Sequence, residues 1–265
     1  MSDRFEFGNN WKQFLDNMNE ERRSEAVRSL SAWLGTNDLF GRSFLDIGSG
    51  SGLFSLAARD MGARVSSFDY DPECVECTKI MKNRYYPCDV SWSIERGDVL
   101  DKDYLSKYDR QDVVYSWGVL HHTGKMFDAL DNAGNLVKDG GLLYIAIYND
   151  QGVLSSFWKK EKRLYNIMPS PIKTLISVVF FAVLWVIRSV GDLIRCRPFE
   201  TYRQYKKKRG MSPWYDAVDW VGGYPFEVAK PEKIIDYFRK RHFELIKLET
   251  CGGSNRCNQF VFRKN

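Results

Sequence analysis

Between Arg42 and Asp150 short apolar runs alternate with segments of helical spacing, and that alternation narrows the fold more than any other feature of the chain. "SFLDIG", "ARVSSFDYD", "WSIERGD", "QDVVYSWGVLHH" and "LLYIAIYND" read as strands. "LFSLAARDMG", "PECVECTKIMKNRYY" and "KMFDALDNAGNLVKDGG" read as helices, the second with Pro72 in its first turn and the others stopped by glycine. Strands separated by helical crossovers pair in parallel, and a parallel sheet carries helices on both faces. Its strands are then buried on both sides, which suits near-continuous apolar runs. The expected fold class is α/β.

After Asp150 the alternation stops. Residues 151–224 hold no run of strand character, and the pattern resumes with "KPEKIIDYFRKRH" as a helix and "FELIKLET" and "NQFVFRK" as strands. Three parts are expected. Residues 1–40 form a helical lid or outer layer, carried by the amphipathic stretch "NMNEERRSEAVRSLSAWLG". Residues 41–150 and 225–265 form the core. Residues 151–224 form a helical insertion after strand five. The charge follows the same division. Between Gln151 and Gly210 thirteen Lys or Arg face three acids, a net of +10, so the rest of this +5 chain carries −5. An acidic body with a basic attachment is implied.

The N-terminus lacks the apolar run of a signal peptide, and six cysteines without a regular framework read as reduced thiols. A cytoplasmic protein is expected. Cys74 and Cys77 form a lone CxxC without a second pair at ligand spacing. They read as small apolar side chains on one helix face, and no metal is expected.

The first strand-to-helix turn reads Asp46-Ile47-Gly48-Ser49-Gly50-Ser51-Gly52. Glycines there let the backbone turn sharply and approach a ligand. A nicotinamide-binding turn would need glycine at position 53, which is Leu53, and a nucleoside triphosphate loop would need a following Gly-Lys-Ser/Thr, which is absent. Asp46 beside the turn would repel a pyrophosphate and suits a ligand carrying positive charge. Asp69 closes the second strand, where a carboxylate can accept both hydroxyls of a ribose. Tyr70 offers a flat face to an adenine, and Asp98 ends the third strand within reach of an adenine amino group.

"FLDIGSGSG", "FDYDP", "ERGDVL" and "DVVYSWGVLHH" together resemble the ordered motifs of the class I S-adenosylmethionine-dependent methyltransferases. The resemblance is strong over residues 42–150 and resumes over 225–265. It implies a Rossmann-like methyltransferase sheet, mostly parallel with the last strand antiparallel, and S-adenosyl-L-methionine as cofactor. It implies Gly48, Ser49 and Gly50 against the cofactor and Asp46 near its methionine ammonium. It further implies Asp69 on the ribose, Tyr70 on the adenine, Asp98 and Val99 at the adenine edge, and the Trp117 backbone beside the methionine part.

Methyl transfer is an in-line displacement, which needs the nucleophile held about 3–3.5 Å from the methyl carbon with water kept out. A hydroxyl nucleophile must also lose its proton, and a neutral imidazole suits that task. His121 and His122, two of the three histidines, follow the fourth strand. If the strand ran through them their side chains would face opposite ways, so one of the two would reach the cleft. His122, further past the strand, is the expected base, with His121 the alternative. Tyr148 and Asn149, with Asp150 after them, should line the same mouth and hold the acceptor.

The sequence leaves the acceptor open. The Asn/Asp-Pro-Pro-aromatic stretch of amino-methylating nucleic-acid enzymes and the glutamate pair of protein arginine methyltransferases are both absent after the fourth strand. A small or lipid-linked hydroxyl compound (a phenol, glycan or glycolipid) is the expected acceptor. RNA or N-methylation using the basic insertion is the alternative, with nucleic acid disfavoured by the insertion's apolar centre. A non-catalytic cofactor-binding scaffold is a third reading, against which the intact glycine and acidic motifs argue.

Within the insertion, "PSPIKTLISVVFFAVLWVIRSVGDLIRCRP" sets Ser170 as an N-cap and Pro171 as the first helical residue. Thr174 to Ile187 is 14 residues without charge, short of the about 20 that span a bilayer. Val178 to Ile187 is apolar all round, so every side needs cover. Two readings stand. The helix is a lid buried on the core or in a homodimer, or residues 172–194 touch a membrane surface, with the flanking "FWKKEKR" and "YKKKRG" favouring anionic lipid. The second would make the protein peripheral on the membrane.

Overall fold

The computed structural model describes residues 15, 18–200, 213–254 and 256–265. The sheet has seven strands: β1 (Ser43–Ile47), β2 (Arg64–Asp69), β3 (Trp92–Arg96), β4 (Gln111–Trp117), β5 (Val137–Tyr148), β6 (Phe243–Glu249) and β7 (Cys257–Lys264). Their order is β3-β2-β1-β4-β5-β7-β6. The first five pair in parallel, and β7 runs antiparallel between β5 and β6. This is the expected Rossmann-like methyltransferase sheet. β1 and β4 are neighbours although β2 and β3 intervene in the chain, so the strand order reverses between them, where ligands of such sheets bind.

Alternate residues of the central strands feed two cores. Phe44, Val113, Tyr115 and Tyr144 meet α1 (Glu20–Leu34), α2 (Leu53–Asp60) and α3 (Pro72–Tyr85) on one face. Leu45, Val114, Ile145 and Phe260 meet α5 (Met126–Asn135) and α9 (Pro231–Arg239) on the other, and the short α4 (Lys102–Leu105) closes that side beyond β3. α1 starts where Asn19 caps the Arg22 amide and stops at Gly35, in the left-handed conformation. It buries Ala26, Leu30 and Leu34. Cys74 and Cys77 are both buried on α3.

Three expectations about the strands and their ends change. "VKDGG" is strand rather than helix: α5 ends at Asn135, and Val137 pairs with Gln111 at the start of β5. β4 stops at Trp117, because Gly118 takes a φ of +77° and turns the chain. Asp98 lies two residues past the end of β3, where its side chain accepts the Leu100 amide.

The insertion contains α6 (Val153–Ile167), α7 (Ser170–Ile194) and α8 (Pro213–Gly222). Pro169, not Ser170, holds the cap position of α7, and Ser170 is its first helical residue. α8 packs against both other helices, with Trp214 against Phe181 and Trp220 against Trp158. The basic "YKKKRG", residues 205–210, lies outside the described residues.

Candidate active site

The glycine turn is stitched to β2 and α3. The Gly48 and Ser49 amides donate to the Phe68 carbonyl at 2.8 and 3.2 Å, and the Thr78 hydroxyl meets the Gly50 carbonyl at 3.2 Å. Gly48 has a φ of +79°, and a Cβ placed on it would stand 2.4 Å from a Val119 methyl. No side chain fits there, so position 48 requires glycine and its backbone packs directly against Val119.

Asp69 is held at the end of β2 by two backbone donors, the Gly50 amide on one oxygen and the Asp71 amide on the other, each at 3.0 Å. Burial nevertheless pushes its carboxyl up to about 6, against the pull of those amides. Asp46 lies beneath the turn, 1% exposed, with one oxygen 2.5 Å from the Ser55 hydroxyl. Its Oδ1 is buried without a partner, and burial, opposed by Ser55 and reinforced by Asp69, raises the group to about 7. An orphaned carboxylate oxygen at β1 and a backbone cradle at Gly48 fit a ligand bringing positive charge to that point. Ser49 is spent inward on the Thr78 hydroxyl at 2.9 Å. Tyr70 is exposed, with the Arg96 guanidinium 5.8 Å from its ring centre. Val99 is buried and its carbonyl accepts the Asn132 amide.

A second group gathers at the ends of β4 and β5. Trp117 is 45% exposed and donates to Gln259 on β7. His121 and His122 occupy a 3₁₀ turn, Leu120–His122, not the strand. Their rings therefore do not point to opposite faces; the centres are 4.5 Å apart. Both meet Tyr148, at 4.0 Å from His121 and 5.5 Å from His122. His121 is fully buried, its Nδ1 against the Tyr148 amide at 3.4 Å and its Nε2 without a partner. Burial holds its pKa well below the usual histidine range. His122 Nδ1 lies 2.7 Å from the Pro225 carbonyl. A carbonyl only accepts, so Nδ1 carries the proton and Nε2 the lone pair. Burial lowers this group to about 4, with the Pro225 bond opposing.

Asn149 does not join the histidines: its amide donates to the Ser254 carbonyl and accepts from Asn258. Trp220 and Phe226, which the sequence reading passed over, pack on Tyr148 at 5.8 and 5.4 Å. Lys162 of α6 was passed over too, and it is 1% exposed. The signal available for it was its spacing. Ser155, Lys162 and Tyr165 recur on one helix face with Trp158 beside them, so the lysine shares the inward stripe.

Residues 18–179 match the sequence model of a family described as a methyltransferase domain. Over 116 residues the chain is 30% identical to a ubiquinone biosynthesis O-methyltransferase of Glaesserella parasuis serovar 5 (strain SH0165), covering 43% of this chain and about half (48%) of that relative. The magnesium protoporphyrin IX methyltransferase of Synechocystis PCC 6803, crystallised with bound SAH, matches with a TM-score of 0.55 and 14% identity over 92% of this chain and 84% of that one. The N-methyltransferase NodS of Bradyrhizobium japonicum WM9, also with S-adenosyl-L-homocysteine, gives 0.50 and 15% over 92% and 86%. At these identities the solved structures speak for the fold.

Proposed function

This chain belongs to the methyltransferase-domain family, and from that membership we propose an S-adenosylmethionine-dependent O-methyltransferase that acts on a hydroxyl acceptor with His122 as general base. The cofactor, when bound, supplies an electrophilic methyl group on a sulfonium. The chain's residues hold and orient it: the Gly48–Gly50 backbone and Asp46 serve the methionine end, Asp69 the ribose, and Tyr70, Asp98 and Val99 the adenine side. The observation that carries the O-transfer reading is the His122 hydrogen bond to the Pro225 carbonyl, which fixes the tautomer with its lone pair on Nε2. That nitrogen takes the hydroxyl proton as the acceptor oxygen becomes methylated. Its lowered pKa keeps the ring neutral through the physiological range. A weak base suffices because an oxygen acidifies as its new bond forms. The 30% identity to an O-methyltransferase agrees with this choice of atom.

The test is turnover against a panel of phenols, glycans and glycolipids. His122→Ala is expected to lower kcat by about 10²–10⁴ with S-adenosylhomocysteine affinity unchanged. His121→Ala should chiefly lower the melting temperature. Normal turnover in His122→Ala beside an inactive, folded His121→Ala would exchange their roles.

A lipid-linked acceptor and a protein peripheral on the cytoplasmic membrane surface are the finer reading, and the exposure of α7 supports it. Its 25 residues are long and apolar enough to cross a membrane by length and composition. One face is already occupied, since Ser177 meets the Tyr165 hydroxyl at 2.9 Å and Asp192 is buried. The other face presents Leu175, Val179, Val183, Val186 and Val190, each between 48% and 62% exposed. A helix packed on one side and apolar on the other lies in the plane of a lipid surface. Exposed Lys159, Lys160 and Arg163 on α6 would meet anionic headgroups. Phe181 and Trp185, packed on each other with Phe181 against Trp214, belong to the covered side. Flotation with anionic vesicles is therefore expected to fail for Val179→Asp, Val183→Asp and to persist for the unaltered protein. A homodimer that ignores vesicles would leave α7 as a subunit contact.

A further inference from the structure

α6 turns a charge into the acceptor end of the site. The Lys162 Nζ stands 4.3 Å from the centre of the Trp220 ring and 5.1 Å from Phe226. Those two rings pack on Tyr148, and Tyr148 on both histidines. Among the described residues the Lys162 ammonium has no hydrogen bond and no salt bridge; the backbone carbonyl of the residue accepts the Asn166 side-chain amide. Glu161 on its own helix and Asp219 on α8 favour its charged form from a distance, and the same charge disfavours protonation of His121 and His122.

A buried ammonium without a counter-ion is costly, and aromatic faces offset only part of the loss of hydration. Folding gains nothing from such a group: where buried charges are replaced by apolar residues of similar size, stability often holds or rises. A ligand that brings the missing negative charge changes that balance. The neighbours set the shape of such a ligand. Flat rings cover the ammonium, and through Tyr148 those rings reach His122, proposed to receive the acceptor hydroxyl.

We propose that Lys162, beneath Trp220 and Phe226, forms an anion-binding subsite for an acid group, carboxylate or phosphate, carried by the acceptor beside its reacting hydroxyl. The link to a hydroxyl rests on the O-methyltransferase reading; the anion site itself does not. Burial brings the Lys162 amine down to about 7, so the site loses its charge as pH rises through that value. Anion capture should accordingly be stronger at pH 6 than at pH 8.5. Glu161, Asp219, His121, His122 and Tyr148 are the titratable neighbours of that charge.

The experiment is a binding titration, read by tryptophan fluorescence, of S-adenosylhomocysteine-loaded protein with benzoate, phenyl phosphate and neutral benzamide. At pH 6 at least one anion is expected to bind about tenfold or more tighter than benzamide. Whichever anion leads identifies the acid. Lys162→Met should erase the preference, Lys162→Arg should keep part of it, and both should bind S-adenosylhomocysteine as the unaltered protein does. Lys162→Met should also melt no lower than the unaltered protein, an outcome a merely structural lysine would not give; Lys162→Gln serves if the Met variant does not fold. Equal affinity for the three probes, or a preference that survives in Lys162→Met, overturns the proposal. Failure of the unaltered protein to bind S-adenosylhomocysteine, with anion preference intact, would count against the methyltransferase reading alone.

Discussion

The carboxyl ends of β1 and β2 and those of β4 and β5 sit side by side in one sheet and are built on opposite plans. The first is made of backbone and carboxylates. The Gly48, Ser49 and Gly50 amides tie the turn to Phe68 and Asp69, and the two acids, Asp46 and Asp69, come from a stretch of 24 residues (46 to 69). The second is made of rings and buried titratable groups brought from the turn after β4, from β5, from the insertion and from the segment after α8. A cofactor of fixed shape can be met by fixed backbone. An acceptor is met by side chains, which can change without disturbing the turn.

The contrast breaks first at Gly48. Gly48→Ala forces a side chain into a left-handed conformation and against Val119, so S-adenosylhomocysteine affinity should fall by about a hundredfold or more. Calorimetry reads this directly. Gly48→Ala, Val119→Ala removes the clash but not the backbone strain and should recover only part. An alanine variant that binds normally would mean that the backbone cradle is not what holds the cofactor.

At the other end Tyr148→Ala should lower kcat by about 10–100-fold, because both histidine rings lose the face they pack on. Cofactor affinity should stay within about twofold. A matching loss of affinity would show that the two ends are coupled rather than separate.

The smallest effect is in pH. Asp46 and Asp69 are raised to about 7 and about 6, so the folded, ligand-free protein favours their protonated forms. Their contribution to its stability is present at low pH and lost as pH rises through 6 to 7. A bound ammonium and ribose favour the ionised forms instead. Affinity for S-adenosylhomocysteine should therefore rise by roughly three- to tenfold from pH 5.5 to 7.5. The Asp69→Asn protein should show a flatter profile, and an unaltered slope would remove Asp69 from the contact.

The same contrast explains what could be read in advance. The glycine turn, the place of Asp69 at a strand end and the succession of strands and helices follow from local pattern, since each depends on neighbours a few residues away or on the chain's own alternation. The histidines were visible as residues but not as geometry. Their opposed placement assumed that β4 continued past Gly118, whose positive φ ends it. Asn149 was expected at the acceptor, and its amide is taken up by Ser254 and Asn258, more than a hundred positions away. The spacing of Ser155, Lys162 and Tyr165 turns Lys162 inward, but nothing local says that Trp220 and Phe226 come over it. No spacing rule joins residues that far apart.

The Pro225 carbonyl has a consequence in time. His122 gains its defined tautomer from a residue 103 positions later, and the Met126 amide is held by Glu227 across 101 positions. On a ribosome adding about 5–20 residues each second, that partner arrives several seconds after the histidine. The glycine turn, Phe68 and Asp69 are all in hand long before. A nascent chain can thus complete the glycine turn and its acids while His122, the proposed base, is still without the carbonyl that orients it, and the histidine end of the site is finished last.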